Sequence, residues 1–235
     1  MPATYIKETS KFPEGLTLLS SPTPNGHKIS LFLEFLRLSY HVKRIDVFAN
    51  EQKQDWFLKL NPNGKIPVLL NVGKDGEIID LVFESAAILI YLADKFDKDF
   101  KYHYAASDPH YYEELVWIFF QMANLGPNQT NLLYFLRLCP ENIPYCIVRY
   151  TDEVNRVYNV LEGQLKKNGT GYLVGNKLTL ADFTTWPWVN RHKFSKISME
   201  KFPVLEQWRE NILQLEITKI ATNIPPSEAW GIIED

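Results

Sequence analysis

Hydrophobic positions change rhythm once along the chain. From Leu16 to Phe96 short apolar runs alternate with helical stripes, the pattern of an α/β unit. Leu16-Thr17-Leu18-Leu19-Ser20 reads as a strand, and Ser21-Pro22-Thr23-Pro24-Asn25-Gly26 as a loop of turn residues. Ile29, Phe32, Leu33 and Leu36 then recur at i, i+3, i+4 and i+7, which predicts a helix beginning near Pro24 or Asn25. Residues 43–47 predict a second strand, 52–60 a short helix, and Asn61-Pro62-Asn63-Gly64 a turn. Val68-Leu69-Leu70 and Ile78-Ile79-Asp80-Leu81-Val82 flank Gly73-Lys74-Asp75-Gly76 as an antiparallel hairpin. Ser85 opens a helix marked by Ile88, Tyr91, Leu92 and Lys95, so the order is βαβαββα on a mixed sheet.

Beyond Phe96 the rhythm becomes helical throughout. Asp108-Pro109 has the form of an N-cap followed by proline at the first helical position, with Leu115, Ile118, Phe119 and Met122 at helical spacing behind it. A second helix carries Val154, Val157, Tyr158, Leu161 and Leu165, and a third opens on the capping-box pattern Thr179-Leu180-Ala181-Asp182. The expected division is a tail over 1–15, an α/β domain over 16–97, a linker over 98–107, an all-helical domain over 108–222 and a tail over 223–235. Pro225-Pro226 rules out a helix there and suggests an extended strap.

Composition narrows the chemistry. A net charge of −3 with dispersed Lys and Arg excludes the basic stripe of a nucleic-acid binder. No apolar run suits a secretory signal or a membrane span, so a cytoplasmic location is expected. Cys139 and Cys146 are too few for a disulfide framework and lack redox-pair spacing. Five scattered histidines and no metal-spaced cysteines predict no metal site. Gly169-x-Gly171-x-x-x-Gly175 misses the dinucleotide fingerprint and reads as a loop.

Three chain turns in the first domain remain. At Ser20 to Gly26, a helix N-terminus with Thr23 and Asn25 is suited to an anion such as a thiolate, although the same residues make an ordinary cap. At Ile66-Pro67, a cis bond would expose the Ile66 backbone to an extended peptide, whereas a trans strand-entry proline is the plainer reading. At Glu84-Ser85, a carboxylate beside a helix start matches the ammonium and carboxylate of an α-amino acid, or simply caps the helix.

Taken together, these turns resemble the cytosolic glutathione transferases: a thioredoxin-like N-terminal domain followed by a helical bundle. Ser21 to Lys28, Asn61 to Pro67, Phe83 to Leu89 and Leu178 to Asp182 are similar to the nu class and its fungal nitrogen-regulator-like relatives, from about Gly15 to Ile220. The resemblance implies that Thr23 and Asn25 lie by the glutathione sulfur as catalytic residues. It further implies that Gln52 and Ile66 hold the tripeptide backbone, that Glu84 and Ser85 hold its γ-glutamyl end, and that Arg149 helps hold glutathione disulfide. A cis Ile66-Pro67 bond, a homodimer and a structural capping box at Thr179 and Asp182 are implied too. No Tyr or Cys stands at the turn where other classes place one, so thiolate activation is left to hydroxyl, amide and helix N-terminus. The expected activity is glutathione-dependent disulfide reduction. The alternatives are conjugation to electrophiles in a pocket lined by Phe119, Phe120, Tyr134, Trp186 and Trp188, or a regulatory binding role on the same fold.

Overall fold

The computed structural model describes residues 3–6 and 11–226. They form two units, one of the residues up to Lys98 together with those from Glu216 onward, the other Asp99–Leu215.

In the first unit, β2 (Gly15–Ser20) is the centre of the sheet, because Thr17, Leu18, Leu19 and Ser20 are all inaccessible and both of its faces are covered. β3 (Tyr40–Arg44) lies parallel to it on one side, and β4 (Val68–Val72) antiparallel on the other. β5 (Ile78–Phe83) closes the hairpin beside β4, and β1 (Thr4–Tyr5) pairs parallel with β3, giving the order β1-β3-β2-β4-β5. The strand β1 adds an edge within what the sequence presents as a tail. Two residues carry no readable alternation, so only pairing with β3 reveals it.

Helices α1 (Pro24–Phe35) and α3 (Ser85–Phe96) pack against each other, with Ile29, Phe32, Leu33, Ile88, Leu89 and Leu92 fully buried. Each such side chain contributes about 1.5–3 kcal/mol on burial. On the other sheet face, Phe57 from α2 (Asp55–Leu58) joins Leu19, Ile45, Val68, Leu70 and Val72 in one cluster. The second strand runs over 40–44 rather than 43–47, and the predicted helix at 52–60 divides into a 3-10 turn, Glu51–Lys53, and α2.

In the second unit, α4 (Tyr111–Phe120) starts two residues later than Asp108-Pro109 suggests. Asp108 Oδ1 accepts from His110 N at 2.8 Å, the bond a cap at Asp108 would make, but the chain there forms a tighter turn, with Tyr111 N bonded to Asp108 O at 3.1 Å, before α4 begins. From α4 the chain stays helical through a π segment, Gln121–Leu125, then α5 (Gly126–Leu133), then a second π segment, Tyr134–Leu138. Pro127 explains the first of these. It has no N–H to donate four residues back and its ring crowds that carbonyl, so the preceding turn widens and Gly126 N–H reaches Gln121 O.

The long α6 (Pro144–Asn168) ends on Gly169 in the left-handed conformation, and the glycine-rich stretch behind it is a loop, as expected. α7 (Leu180–Val189) and α8 (Pro203–Leu213) complete the unit. α9 (Glu216–Ala221) packs on α1 in the first unit, where Ser30 Oγ donates to Ala221 O at 2.8 Å. The proposed strap is described only as far as Pro226, with Ile224-Pro225 cis, and its remainder, 227–235, lies outside the described residues. Among the described residues no helix is long and apolar enough to cross a membrane, and no cluster of three or more His, Cys, Asp or Glu could hold a metal ion.

The start of α7 is densely hydrogen-bonded. The carboxylate of Asp182, fully buried, accepts from Thr179 N (2.9 Å), Thr179 Oγ1 (3.1 Å), Leu173 N (3.0 Å) and Trp208 Nε1 (2.9 Å). Burial pushes its pKa up to about 6 against the pull of these donors. Glu114, on α4, accepts from Leu180 N (3.0 Å) and Tyr104 N (3.1 Å) and is pushed by burial to about 7.

Candidate functional site

The three turns sit at the ends of strands and the starts of helices in the first unit. Thr23 is the N-cap of α1, extended at φ −114° and ψ 160°, and its Oγ1 accepts from Gly26 N at 3.1 Å. Pro24 follows at the first helical position, where a missing N–H costs nothing. Asn25 is half-buried on the same turn. The turn is tight because Gly26 has no side chain: a Cβ there would lie 2.3 Å from Ser21 O and 2.4 Å from Ser20 Oγ. Beneath it, Ser21 Oγ donates to Ile45 O and ties the turn to the end of β3.

The second turn is held by Asn61. Its Nδ2 donates to Lys65 O at 2.7 Å and its Oδ1 accepts from Asn63 N at 3.0 Å, which brings the chain round to Ile66 at the entrance to β4. The Ile66-Pro67 bond is cis, as the resemblance implies. Gln52 adjoins this turn. Gly64, at φ +62°, leaves so little room that a Cβ would stand 3.0 Å from Gln52 O. The Gln52 amide donates to Val47 O at 3.2 Å, while its Oε1 is buried with no donor in reach among the described residues. Lys43 fixes the same loop through Glu51 Oε1 at 3.2 Å, and Glu51 Oε2 accepts from Asp46 N at 2.8 Å.

At the third turn Glu84 takes φ 70°, uncommon for a residue with a side chain, and keeps its carboxylate exposed. Ser85, 3% exposed, begins α3. Its Oγ accepts from Lys28 Nζ at 3.1 Å. Lys28 is wholly buried on α1, and burial holds its ammonium well below the usual lysine range, with the Glu84 charge acting in the opposite sense. Sequence reading assigned Lys28 no role. The available signal was a lysine at i−3 and i−4 from Leu31 and Phe32, a charged group on a buried helical face.

Arg149 belongs to the second unit, exposed on α6, and lines a cleft of about 600 Å³ with Asn128, Tyr145, Tyr150 and Arg156. Its neighbour in sequence to Asn128, Gln129, is core instead, donating to Trp188 O (2.9 Å) and Ser195 Oγ (2.8 Å). Of the aromatic residues expected to line a substrate pocket, Trp186 and Trp188 are 1% and 5% exposed. They are packing residues, with Trp186 Nε1 donating to Arg209 O at 2.9 Å. Cys139 and Cys146 are free thiols.

The known proteins that share this arrangement are consistent with one another. Residues 23–95 match the glutathione S-transferase N-terminal domain, and residues 148–216 the C-terminal domain. The chain is 37% identical over 199 residues to the disulfide-bond oxidoreductase YfcG of Escherichia coli, covering 84% of this chain and 89% of that one. It is also 37% identical to glutathione S-transferase 2 of Schizosaccharomyces pombe, over 88% and 85% of the two chains. A glutathione transferase homolog from Lodderomyces elongisporus, solved with two GSH per subunit, superposes with a TM-score of 0.86 at 39% identity, over 91% and 100%. The glutathione transferase URE2P8 from Phanerochaete chrysosporium, solved with oxidized glutathione, gives 0.83 at 33%, over 91% and 96%. With both domain models matched in order and relatives aligned along most of their length, the chain belongs to the glutathione S-transferase family.

Proposed function

We propose that this protein reduces disulfides with glutathione, using the tripeptide's sulfur rather than a protein cysteine. The observation that carries the reading is the start of α1, where Thr23 caps a twelve-residue helix in a turn that holds neither Tyr nor Cys. A glutathione thiolate there meets the Thr23 hydroxyl, the Asn25 amide and the positive end of the helix, all of which favour thiolate over thiol. Each unit by which they lower the thiol pKa corresponds to about 1.4 kcal/mol.

The Ile66 backbone and Gln52, with its buried acceptor oxygen, suit the peptide groups of glutathione, while Glu84 and Ser85 suit its γ-glutamyl end. The thiolate attacks one sulfur of the substrate, the substrate S–S bond breaks, and the first substrate thiolate leaves and takes a proton. A second glutathione thiolate then attacks the glutathione sulfur of the mixed disulfide. Glutathione disulfide forms and the second substrate thiol is released, so two electrons pass from two glutathiones to one disulfide. Arg149 is the residue we assign to holding glutathione disulfide. Similarity to a disulfide-bond oxidoreductase and to structures carrying two GSH or oxidized glutathione supports this reading. The reaction suits a reducing cytoplasm, where Cys139 and Cys146 stay thiols.

The purified protein, given glutathione and a small symmetric disulfide, is expected to make glutathione disulfide well above the uncatalysed rate, followed as NADPH loss coupled to glutathione reductase. Asn25→Ala is expected to lower that turnover about tenfold or more at unchanged unfolding midpoint, since one charge-assisted hydrogen bond is worth that factor. Unchanged turnover at normal glutathione affinity removes Asn25 from the mechanism. A thioether adduct with an electrophile, and no excess disulfide, replaces reduction with conjugation and a detoxifying role.

The assembly we propose is a homodimer. On α4, Tyr112, Val116 and Phe119 follow at i, i+4 and i+7 and are 72%, 61% and 60% exposed, an apolar stripe that a second copy would cover. Light scattering at micromolar concentration is expected to give the mass of two chains; a single-chain mass overturns the assignment.

A further inference from the structure

Lys28, beside the third turn, is a group whose placement is costly and whose purpose the glutathione reading leaves open. An ammonium taken fully out of water loses several kcal/mol of solvation, and a methionine would fill the same space without that loss. One contact of Lys28 crosses 57 residues of chain: Nζ donates to Ser85 Oγ at 3.1 Å.

We propose that Lys28 is a positioning residue that orients the Ser85 hydroxyl as a donor and makes the start of α3 selective for a carboxylate; the proposal rests on the glutathione reading above. The argument is one of donors and acceptors. A carboxylate bound at this turn, together with Glu84, draws Lys28 to its protonated form, which has three donors and no acceptor, so Nζ occupies a lone pair of Ser85 Oγ and the hydroxyl proton points away from Nζ. Ser85 is the first residue of α3, and Glu84, at φ 70°, is where the chain turns into that helix. A carboxylate placed there meets the Ser85 O–H, the first N–H groups of a twelve-residue helix and the positive charge behind the hydroxyl. The exposed Glu84 carboxylate supplies the opposite polarity beside it, suited to an ammonium. Lys28 thus sets which end of the α-amino acid goes where, without touching it.

The test is a binding cycle on the whole protein, read by calorimetry with glutathione and with its analogue whose γ-glutamyl α-carboxylate is a carboxamide. Lys28→Met is expected to weaken glutathione about tenfold and leave the carboxamide nearly unchanged, so the preference between the two ligands collapses. In a Ser85→Ala background the same change is expected to add almost nothing, because Lys28 acts through that hydroxyl. Equal weakening of both ligands, the same factor with and without Ser85, or no change overturns the proposal. Should Lys28→Met fail to fold by circular dichroism, Lys28→Gln carries the same cycle with a neutral donor. Ser85→Ala alone separates the two levels of inference. If it leaves glutathione affinity intact, the glutathione reading of α3 fails; if it weakens glutathione while Lys28→Met does not, only the role of Lys28 falls.

Discussion

Asp182→Ala is expected to lower the stability of the second unit by about 3–5 kcal/mol. Losing an N-terminal cap alone costs about 1 kcal/mol. Here the same substitution also leaves Leu173 N, Thr179 N and Trp208 Nε1 without the acceptor they share, in a place water does not reach. Buried donors left unpaired cost about 1–3 kcal/mol each before any relaxation. Urea unfolding followed by tryptophan fluorescence checks this, since Trp117, Trp186, Trp188 and Trp208 all lie in that unit. A loss under about 1 kcal/mol would mean that the loop before α7 does not depend on this carboxylate.

The loss also depends on pH in a definite direction. The folded pKa of Asp182 is raised, to about 6, above its ordinary value of 3.8. The folded protein therefore holds the proton more tightly, and this group's favourable contribution is complete below the unfolded value and declines as pH rises through about 6. Alanine has no such titration, so the deficit of Asp182→Ala against the natural protein is expected to be larger at pH 5 than at pH 8.

Gly26→Ala is expected to reduce disulfide turnover a hundredfold or more and to destabilise the first unit by about 2–3 kcal/mol. Helix propensity alone points the other way, because alanine is favoured over glycine inside a helix by about 1 kcal/mol. Position decides. The added methyl would stand 2.3 Å from the backbone carbonyl of Ser21, so the turn carrying Thr23 and Asn25 must move, and a shift of about 1 Å is enough for a loss of that order. Gly163 is the internal control. It lies within α6 with open space where its Cβ would be, so Gly163→Ala is expected to stabilise by about 1 kcal/mol and leave turnover unchanged. Steady-state turnover, glutathione binding by calorimetry and thermal unfolding check both variants. A Gly26→Ala protein with natural turnover would show that the turn's close approach is not required.

Much of this molecule is legible from residue order because its determinants are local. The period of apolar positions predicts α1, α3 and the β4-β5 hairpin within a few residues and the Val154-to-Leu165 part of α6, and the Thr179-to-Asp182 spacing predicts the capping box. Turn chemistry likewise marks Asn61 to Gly64 and the glycine that ends α6, since the residues that force those conformations stand in the turns themselves. Thr23, Asn25, Ile66, Glu84 and Ser85 stand out as candidates because each sits where a strand gives way to a helix, or a turn to a strand, whereas Gln52 and Arg149 enter only through the family resemblance.

Contacts between distant positions were out of reach. A strand as short as β1 exists only through its pairing with β3, and α9 docks on α1 through Ser30, almost 200 residues earlier in the chain. The delayed start of α4 reflects an i,i+3 turn at Asp108, whose carbonyl accepts from Tyr111 N, and nothing in residue order distinguishes that turn from the first turn of a helix. Trp186 and Trp188 read as pocket or, more plainly, as core, and packing places them inside. Lys28 is the clearest case: the residue is visible in the sequence as a charge on an apolar face, but its partner, Ser85, is set by how α1 and α3 lie together. Sequence by itself determined most elements of the first unit, the family resemblance and the chemistry offered at three turns, because propensity and capping act within a few residues. Tertiary structure alone decided which buried polar groups face one another, because burial and hydrogen-bond satisfaction depend on every segment that closes over them.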